Sequence, residues 1–302
     1  MKKGHRRQYY GDCCPWDAVV KFLTDGGKHS LSDIEIYYRY GDDQRRKDGW
    51  RRRNLEFHTA DDLKRFARDE APLSLEVARM LPLQRPDNDY PLSKQAYKDF
   101  LSKRDDEFAT QHILVFDWDV DHDIRVQWGG CSCADKQVCN LCWQAFAEPA
   151  KVTLDRVLRH WLGFTQILYT FSGRRGFHAI IMDEHSRALT PEQRRAMCQL
   201  IHHERVVLNE DMMADLHPLI KDYYERYHRG APYARDKIMY VLDEPVTIDM
   251  GHAMAVPLTP HAMTGNLRLP LIQEPFDPAQ DAVPCNRATK KDILKWAAFS
   301  LH

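Results

Sequence analysis

Hydrophobic positions along this chain switch between a helical period and a strand period, and the switches mark its elements. Between Tyr9 and Asp25, Trp16, Val19, Val20 and Phe22-Leu23 recur at helical spacing, and Gly26-Gly27 closes the segment. Cys13 and Cys14, ahead of Pro15, read as small buried residues. Ile34 to Tyr40 alternates as a strand does and turns at Gly41-Asp42-Asp43. Arg45-Arg46-Lys47 and Arg51-Arg52-Arg53 form a basic cluster around Trp50. Thr59, with an acid three residues on, predicts a capped helix buried along Leu63, Phe66 and Ala67. Leu73 to Met80 predicts a strand, and Pro82 to Asp106 a polar surface connection rather than a domain linker.

Further on, Val152 to Leu162 carries Leu154, Val157, Leu158 and Trp161 on one helical face and stops at Gly163. Ile167–Phe171 and Phe177–Met182 predict two strands joined by the tight turn Ser172-Gly173-Arg174-Arg175-Gly176. Thr190-Pro191-Glu192-Gln193 is a capping box with proline at the first helical position, opening a helical region that reaches about His228. Ile238–Leu242 predicts a strand ending on Asp243-Glu244-Pro245. After Gly251 the chain is irregular until a last helix from about Lys290 to Phe299. There is no internal repeat.

The stretch that departs from ordinary packing is His112-Ile113-Leu114-Val115-Phe116-Asp117-Trp118-Asp119-Val120. Residues two apart on a strand share a face, so Asp117 and Asp119 stand together while Phe116 and Trp118 turn away. Two carboxylates so close repel unless a cation neutralises them or one takes a proton. A strand running out into an acidic turn is the plain alternative, because Asp121 and Asp123 follow. A second carboxylate-bearing strand end, at Asp243, weighs against it. Three carboxylates together would suit two magnesium or manganese ions of the kind that bind a triphosphate and its leaving pyrophosphate.

Composition narrows the chemistry further. The 302 residues carry a formal charge of -1, so no global basic field announces nucleic acid and any such site is local. Charged residues make up 29% and mean hydropathy is -0.58, which suits a soluble protein. No run approaches the roughly 18 apolar residues of a membrane helix. The basic start leads into Gln8-Tyr9-Tyr10 rather than an apolar stretch, so a secreted protein is not expected. Of eight cysteines, Cys131, Cys133, Cys139 and Cys142 fall within twelve residues. Four thiolates at that spacing predict a closed, tetrahedral, structural zinc site in a reducing compartment, in a loop of about residues 129–144. In the turn Ser172 to Gly176, two glycines let the backbone approach a ligand, and paired arginines suit phosphate oxygens. His178 lies in the outgoing strand, within reach of the same ligand. His261, taken alone, reads as a surface histidine.

Together these pieces resemble the catalytic small subunit of the archaeo-eukaryotic DNA primases. The resemblance runs from about Tyr9 to Pro270 and is tightest between Val115 and Met182, where Phe-Asp-x-Asp and Ser-Gly-Arg-Arg-Gly-x-His occur. It implies an α/β (α+β) fold with a mixed-sheet catalytic core, a zinc loop and a small helical subdomain at about residues 190–230, all in one domain over residues 1–302. It implies that Asp117, Asp119 and Asp243 hold two Mg2+ or Mn2+ ions. Ser172, Arg174, Arg175, His178 and His261 would bind the incoming triphosphate, with Arg53 along the nucleotide or primer path. Cys131, Cys133, Cys139 and Cys142 would bind Zn2+, as in a cysteine loop of nearly this spacing in eukaryotic members. Asp121 and Asp123 match no ligand of the family motif.

The function so implied is synthesis of short RNA primers from ribonucleoside triphosphates on a single-stranded DNA template. The implied partners are a primase large subunit and a replicative DNA polymerase. The location would be nuclear in a eukaryote and cytoplasmic otherwise. Two other readings share the motifs: a primase-polymerase extending with deoxynucleotides, and a degenerate, non-catalytic nucleic-acid-binding subunit. The last motif departs from the family, with Met263 and Ala255 where basic residues are usual. Each charge-assisted hydrogen bond so lost costs about 1.5–3 kcal/mol. Arg268 is a candidate substitute.

Overall fold

The chain passes from one β-sheet to another at Ile113, and that crossing puts the acidic strand where it is. The computed structural model describes residues 1–39, 50–52, 57–80, 111–120, 138–202, 210–216, 218, 221, 242–250, 252–272 and 275–298. The first sheet holds β1 (Ile34–Arg39), β2 (Trp50–Arg52), β3 (Ser74–Met80), β4 (Gln111–His112) and, late in the chain, β8 (Met254–Ala255). Its order is β2-β1-β3-β4, and β8 also pairs with β3. The second sheet holds β5 (Leu114–Asp119), β6 (Ile167–Phe171) and β7 (Gly176–Ile181), in the order β5-β7-β6.

The family resemblance implied mixed sheets, but every ladder between the described strands is antiparallel. The reason lies in the connections. The helical crossover after β5 delivers β6 in the same direction as β5 but one place away. The tight turn after β6 then sends β7 back between them, antiparallel to both. The two faces of this sheet divide as the alternation predicts. Trp118 stacks on Phe177 with ring centroids 5.3 Å apart, and Trp143 meets Phe171 edge-on at 5.7 Å. Phe276 bridges Phe171 and Trp296, so the C-terminal helix Lys290–Ala297 closes the same apolar face.

Helix starts follow local chemistry. Thr59, Thr190 and Thr289 each accept a hydrogen bond from the third residue on, in full capping boxes. The helix expected at Val152 is longer than its apolar stripe. It begins at Asn140, runs through Glu148–Arg156, and widens into π turns at Trp143–Ala147 and Val157–Trp161. The first of these ends two residues before Pro149, and another, Tyr9–Cys13, ends two residues before Pro15. A proline ring crowds the preceding turn and brings no N–H, which a wider turn tolerates. Residues 140–144 of the expected cysteine loop are therefore helical. Between residues 190 and 230 the described helices are Pro191–Ile201 and Glu210–Asp215. Both are tied to the body, the second through Asp215, which accepts from the Trp161 indole N–H at 2.9 Å.

One carboxylate clasps the open end of the β6–β7 pair. Asp183 accepts from the Thr165 hydroxyl at 2.8 Å, the Gln166 N–H at 2.9 Å and the Thr165 N–H at 3.1 Å. Burial works to raise its pKa, but the hydrogen bonds from Gln166 and Thr165 outweigh it and hold the carboxyl below the usual range. Asp183→Asn swaps an acceptor for a donor and should lower unfolding stability by about 1–3 kcal/mol at neutral pH. A lowered folded pKa stabilises fully above the unfolded value of about 4, and that stability is lost as pH falls through the folded one. Unfolding curves of wild type and variant should therefore converge in acid, and a gap that stays constant down to low pH contradicts the assignment.

Candidate active site

The register of β5 on β7 sets Asp117 opposite His178 and Asp119 opposite Gly176, while Thr170 of β6 faces His178 from the other side. Asp117, His178 and Thr170 thus form one row across the sheet, on the face away from the Trp118–Phe177 stack. Gly176 is needed where it stands: a Cβ there would overlap the Trp118 carbonyl oxygen. Asp243 joins this row through the backbone. Leu242 bridges Trp118, and the Asp243 N–H donates to the Asp117 carbonyl at 2.9 Å. Its side chain is exposed.

The hairpin after β6 is gripped on several sides. The Ser172 hydroxyl accepts from the N–H groups of Gly176 (3.1 Å) and Arg174 (3.3 Å). The carbonyls of Arg174 and Arg175 accept from Val138 and Val120. Gly173 has φ +85°, and a side chain there would press on His261 Cβ at 2.8 Å. Its carbonyl accepts from the Thr264 hydroxyl at 2.7 Å. His261, which reads from the sequence alone as a surface residue, is therefore packed against the hairpin. Its Nδ1 accepts from the N–H groups of Met263 and Thr264, so a neutral ring carries its proton on Nε2.

Burial and neighbouring charge set the electrostatics of the site. Asp117 Oδ1 is buried and accepts no hydrogen bond. Burial, then the charges of Asp119 and Asp243, push its carboxyl well above the usual range, against the pull of Arg175 and Arg268. His178 Nε2 lies 3.5 Å from that oxygen, too far for a hydrogen bond, and its Nδ1 is buried without a hydrogen-bond partner. Burial, then Arg268 and His252, push His178 down to about 3. Burial, then Arg268 and Arg174, push His261 down to about 2. Both rings are neutral at physiological pH, so each presents one N–H donor. Arg175 Nη2 donates to Asp119 Oδ2 at 3.0 Å.

A divalent cation suits the buried Asp117 oxygen and its acidic neighbours, since it would offset the burial and the repulsion that raise that carboxyl. The three acids are neighbours without being gathered. Among the described residues, no three carboxylates, imidazoles or thiolates converge at ligand spacing. Cys139 caps the helix that begins at Asn140, and Cys142 lies buried in its first turn. Cys131, Cys133 and Arg53 lie outside the described residues.

Residues that sequence reasoning underweighted complete the surroundings. Arg268 is 4% exposed, donates to the Pro260 carbonyl at 2.6 Å, and acts electrostatically on Asp117, His178 and His261. Burial pushes its own pKa down to about 10. Arg39 of β1 adds to the positive potential at His261. Met263 is 47% exposed at the rim, and Ala255 pairs with Glu76 in the first sheet. Arg268 was noticeable only as a basic residue near the motif. Arg39 was hidden in an aromatic strand.

The sequence and the fold both resemble known proteins. Residues 116–272 match the family profile of the DNA primase small subunit. The DNA primase small subunit of Caenorhabditis elegans is 31% identical over 187 residues, 55% of this chain and 42% of that protein. That of Schizosaccharomyces pombe is 27% identical over 199 residues, 64% of this chain and 38% of that protein. That of Saccharomyces cerevisiae is 36% identical over 94 residues, 31% of this chain and 22% of that protein. The matches thus span less than half the length of each of these relatives. Among solved structures, the polymerase domain from Mycobacterium tuberculosis ligase D in complex with DNA superposes with a TM-score of 0.53 at 12% identity, covering 98% of this chain and 89% of that one. That likeness concerns the fold, whereas the profile match spans over half the chain and includes Asp117, Asp119, the arginine hairpin, Asp243 and His261: the chain belongs to the DNA primase small subunit family.

Proposed function

We propose that the chain catalyses nucleotidyl transfer, joining ribonucleoside triphosphates into short RNA primers along a single-stranded DNA template. The observation that carries this reading is the row Asp117–His178, in which a buried carboxylate oxygen that accepts no hydrogen bond faces a neutral imidazole beside the arginine hairpin. Asp117, Asp119 and Asp243 are the residues that would hold Mg2+ or Mn2+. When bound, those ions would supply charge to activate the primer 3′-hydroxyl and to stabilise pyrophosphate.

The protein's own groups account for the rest. The neutral rings of His178 and His261 each offer an N–H to phosphate oxygens. Arg174 and Arg175 neutralise the triphosphate, and Arg175 exchanges its Asp119 partner for it. The Ser172 hydroxyl holds the hairpin amides in place, and Arg268 supplies fixed positive potential from behind His261. In this reading Arg268 offsets part of the charge missing at Ala255 and Met263. Cys131, Cys133, Cys139 and Cys142 hold structural zinc, and Arg53 lines the primer path. The single-stranded template, a larger primase subunit and a replicative polymerase are the partners that go with this activity in DNA replication.

Primer synthesis on a homopolymeric single-stranded template tests the reading. Asp117→Ala and Asp119→Ala should each lower the rate by about 10²- to 10³-fold or more, as loss of a transition-state charge group does. Activity surviving both changes overturns it. Arg175→Ala should raise KM for the nucleotide by about 10- to 100-fold, the equivalent of one charge-assisted hydrogen bond. An unchanged KM removes Arg175 from the phosphate site. Ribonucleotides should be incorporated in preference to deoxynucleotides, and the reverse preference identifies a primase-polymerase. The purified chain should carry about one zinc per molecule, lost in Cys142→Ser together with thermal stability. A zinc-free, equally stable wild type contradicts the cysteine site.

A further inference from the structure

Asp243 is exposed, at the start of a five-residue helix, yet a cation site needs it held in one place. The residues on either side of it are both held by one buried side chain. His202 follows the helix Pro191–Ile201 and is 0% exposed. Its Nε2 lies 2.9 Å from the Leu242 nitrogen, and its Nδ1 lies 3.0 Å from Glu244 Oε1. A backbone N–H can only donate, so Nε2 is the acceptor. The ring proton is then on Nδ1 and is given to the Glu244 carboxylate.

The helix that presents His202 is itself anchored to the acidic strand's approach. Arg194 is buried and donates to the carbonyls of His112 (3.0 Å), Ile113 (3.3 Å) and Thr247 (3.3 Å). The Thr247 hydroxyl in turn donates to the Val115 carbonyl at 2.8 Å. The short helix Glu244–Ile248 is thus clamped near both ends by one longer helix: at Glu244 through His202 and at Thr247 through Arg194. Asp243 sits at the clamped end, with its own N–H on Asp117.

We propose that His202 is a positioning residue for Asp243, holding the Leu242 N–H before it and the Glu244 carboxylate after it so that its carboxylate is presented to a divalent cation shared with Asp117 and Asp119. This rests on the reading of Asp243 as a cation ligand. Partners of ligand-bearing groups typically matter about 10- to 100-fold in metal affinity.

The test is a Mn2+ titration of the whole chain, with free Mn2+ read by electron paramagnetic resonance and folding checked by circular dichroism. His202→Leu should weaken Mn2+ binding by about tenfold or more. His202→Gln, whose amide oxygen can accept from Leu242 and whose NH2 can donate to Glu244, should stay within about threefold of wild type. If His202→Leu does not fold, Glu244→Ala carries the test and should weaken binding by at least about threefold. A merely structural histidine predicts that both His202 variants lose stability while Mn2+ affinity is unchanged, and that result overturns the proposal. If Asp243→Ala binds Mn2+ as tightly as wild type, the ligand reading fails and takes the proposal with it. If Asp243→Ala weakens binding while His202→Leu and Glu244→Ala do not, the positioning role alone fails.

Discussion

Gly176 lies opposite Asp119 with no room for a side chain, and that close approach fixes how β5 is read against β7. A slip of one residue would turn Asp117 and Asp119 into the aromatic face and bring Phe116 and Trp118 to the site, because side chains alternate with a period of two. The aromatic face resists such a slip. Burying Phe177 contributes about 1.5–3 kcal/mol, and the larger Trp118 roughly 4–6 kcal/mol by area. Leaving Asp117 Oδ1 and His178 Nδ1 without hydrogen bonds costs about 1–3 kcal/mol apiece. The apolar side therefore outweighs the unsatisfied polar side, and the register holds with these polar atoms buried.

That site is built from groups whose charges are set against each other. One carboxyl is pushed up, two imidazoles are pushed down, and two arginines, Arg175 and Arg268, bracket them. Arg268 depresses both rings and simultaneously lowers the Asp117 carboxyl, so one buried cation tunes three groups. A polyanion bound with its cation matches this pattern: the anion meets neutral N–H donors and guanidinium groups, and the cation meets the carboxylates.

Much of this was legible in the chain because it is local. Alternation over six residues placed Asp117 and Asp119 on one face, and glycine spacing placed the hairpin between its strands. Threonine followed by an acid or glutamine at the third position marked two helix starts to the residue. What escaped was non-local or irregular. The π turns ahead of Pro15 and Pro149 have no period to detect. His261 reads as a surface residue until Gly173 packs on it from 88 positions away in the chain. The partners of His202 lie 40 and 42 positions away, so no window of sequence contains the clamp. The antiparallel order of the second sheet likewise depends on where a crossover lands, not on the pattern of any one strand.

The most direct measurement is a crystal structure of the chain soaked with Mn2+ and a non-hydrolysable ribonucleoside triphosphate, with manganese located by anomalous scattering. The account predicts manganese in contact with Asp117 and Asp119, Asp243 turned in to join them, and phosphate oxygens on Arg174, Arg175, His178 and His261. Manganese bound elsewhere, or a triphosphate that leaves the hairpin untouched while the three carboxylates stay apart, would contradict it.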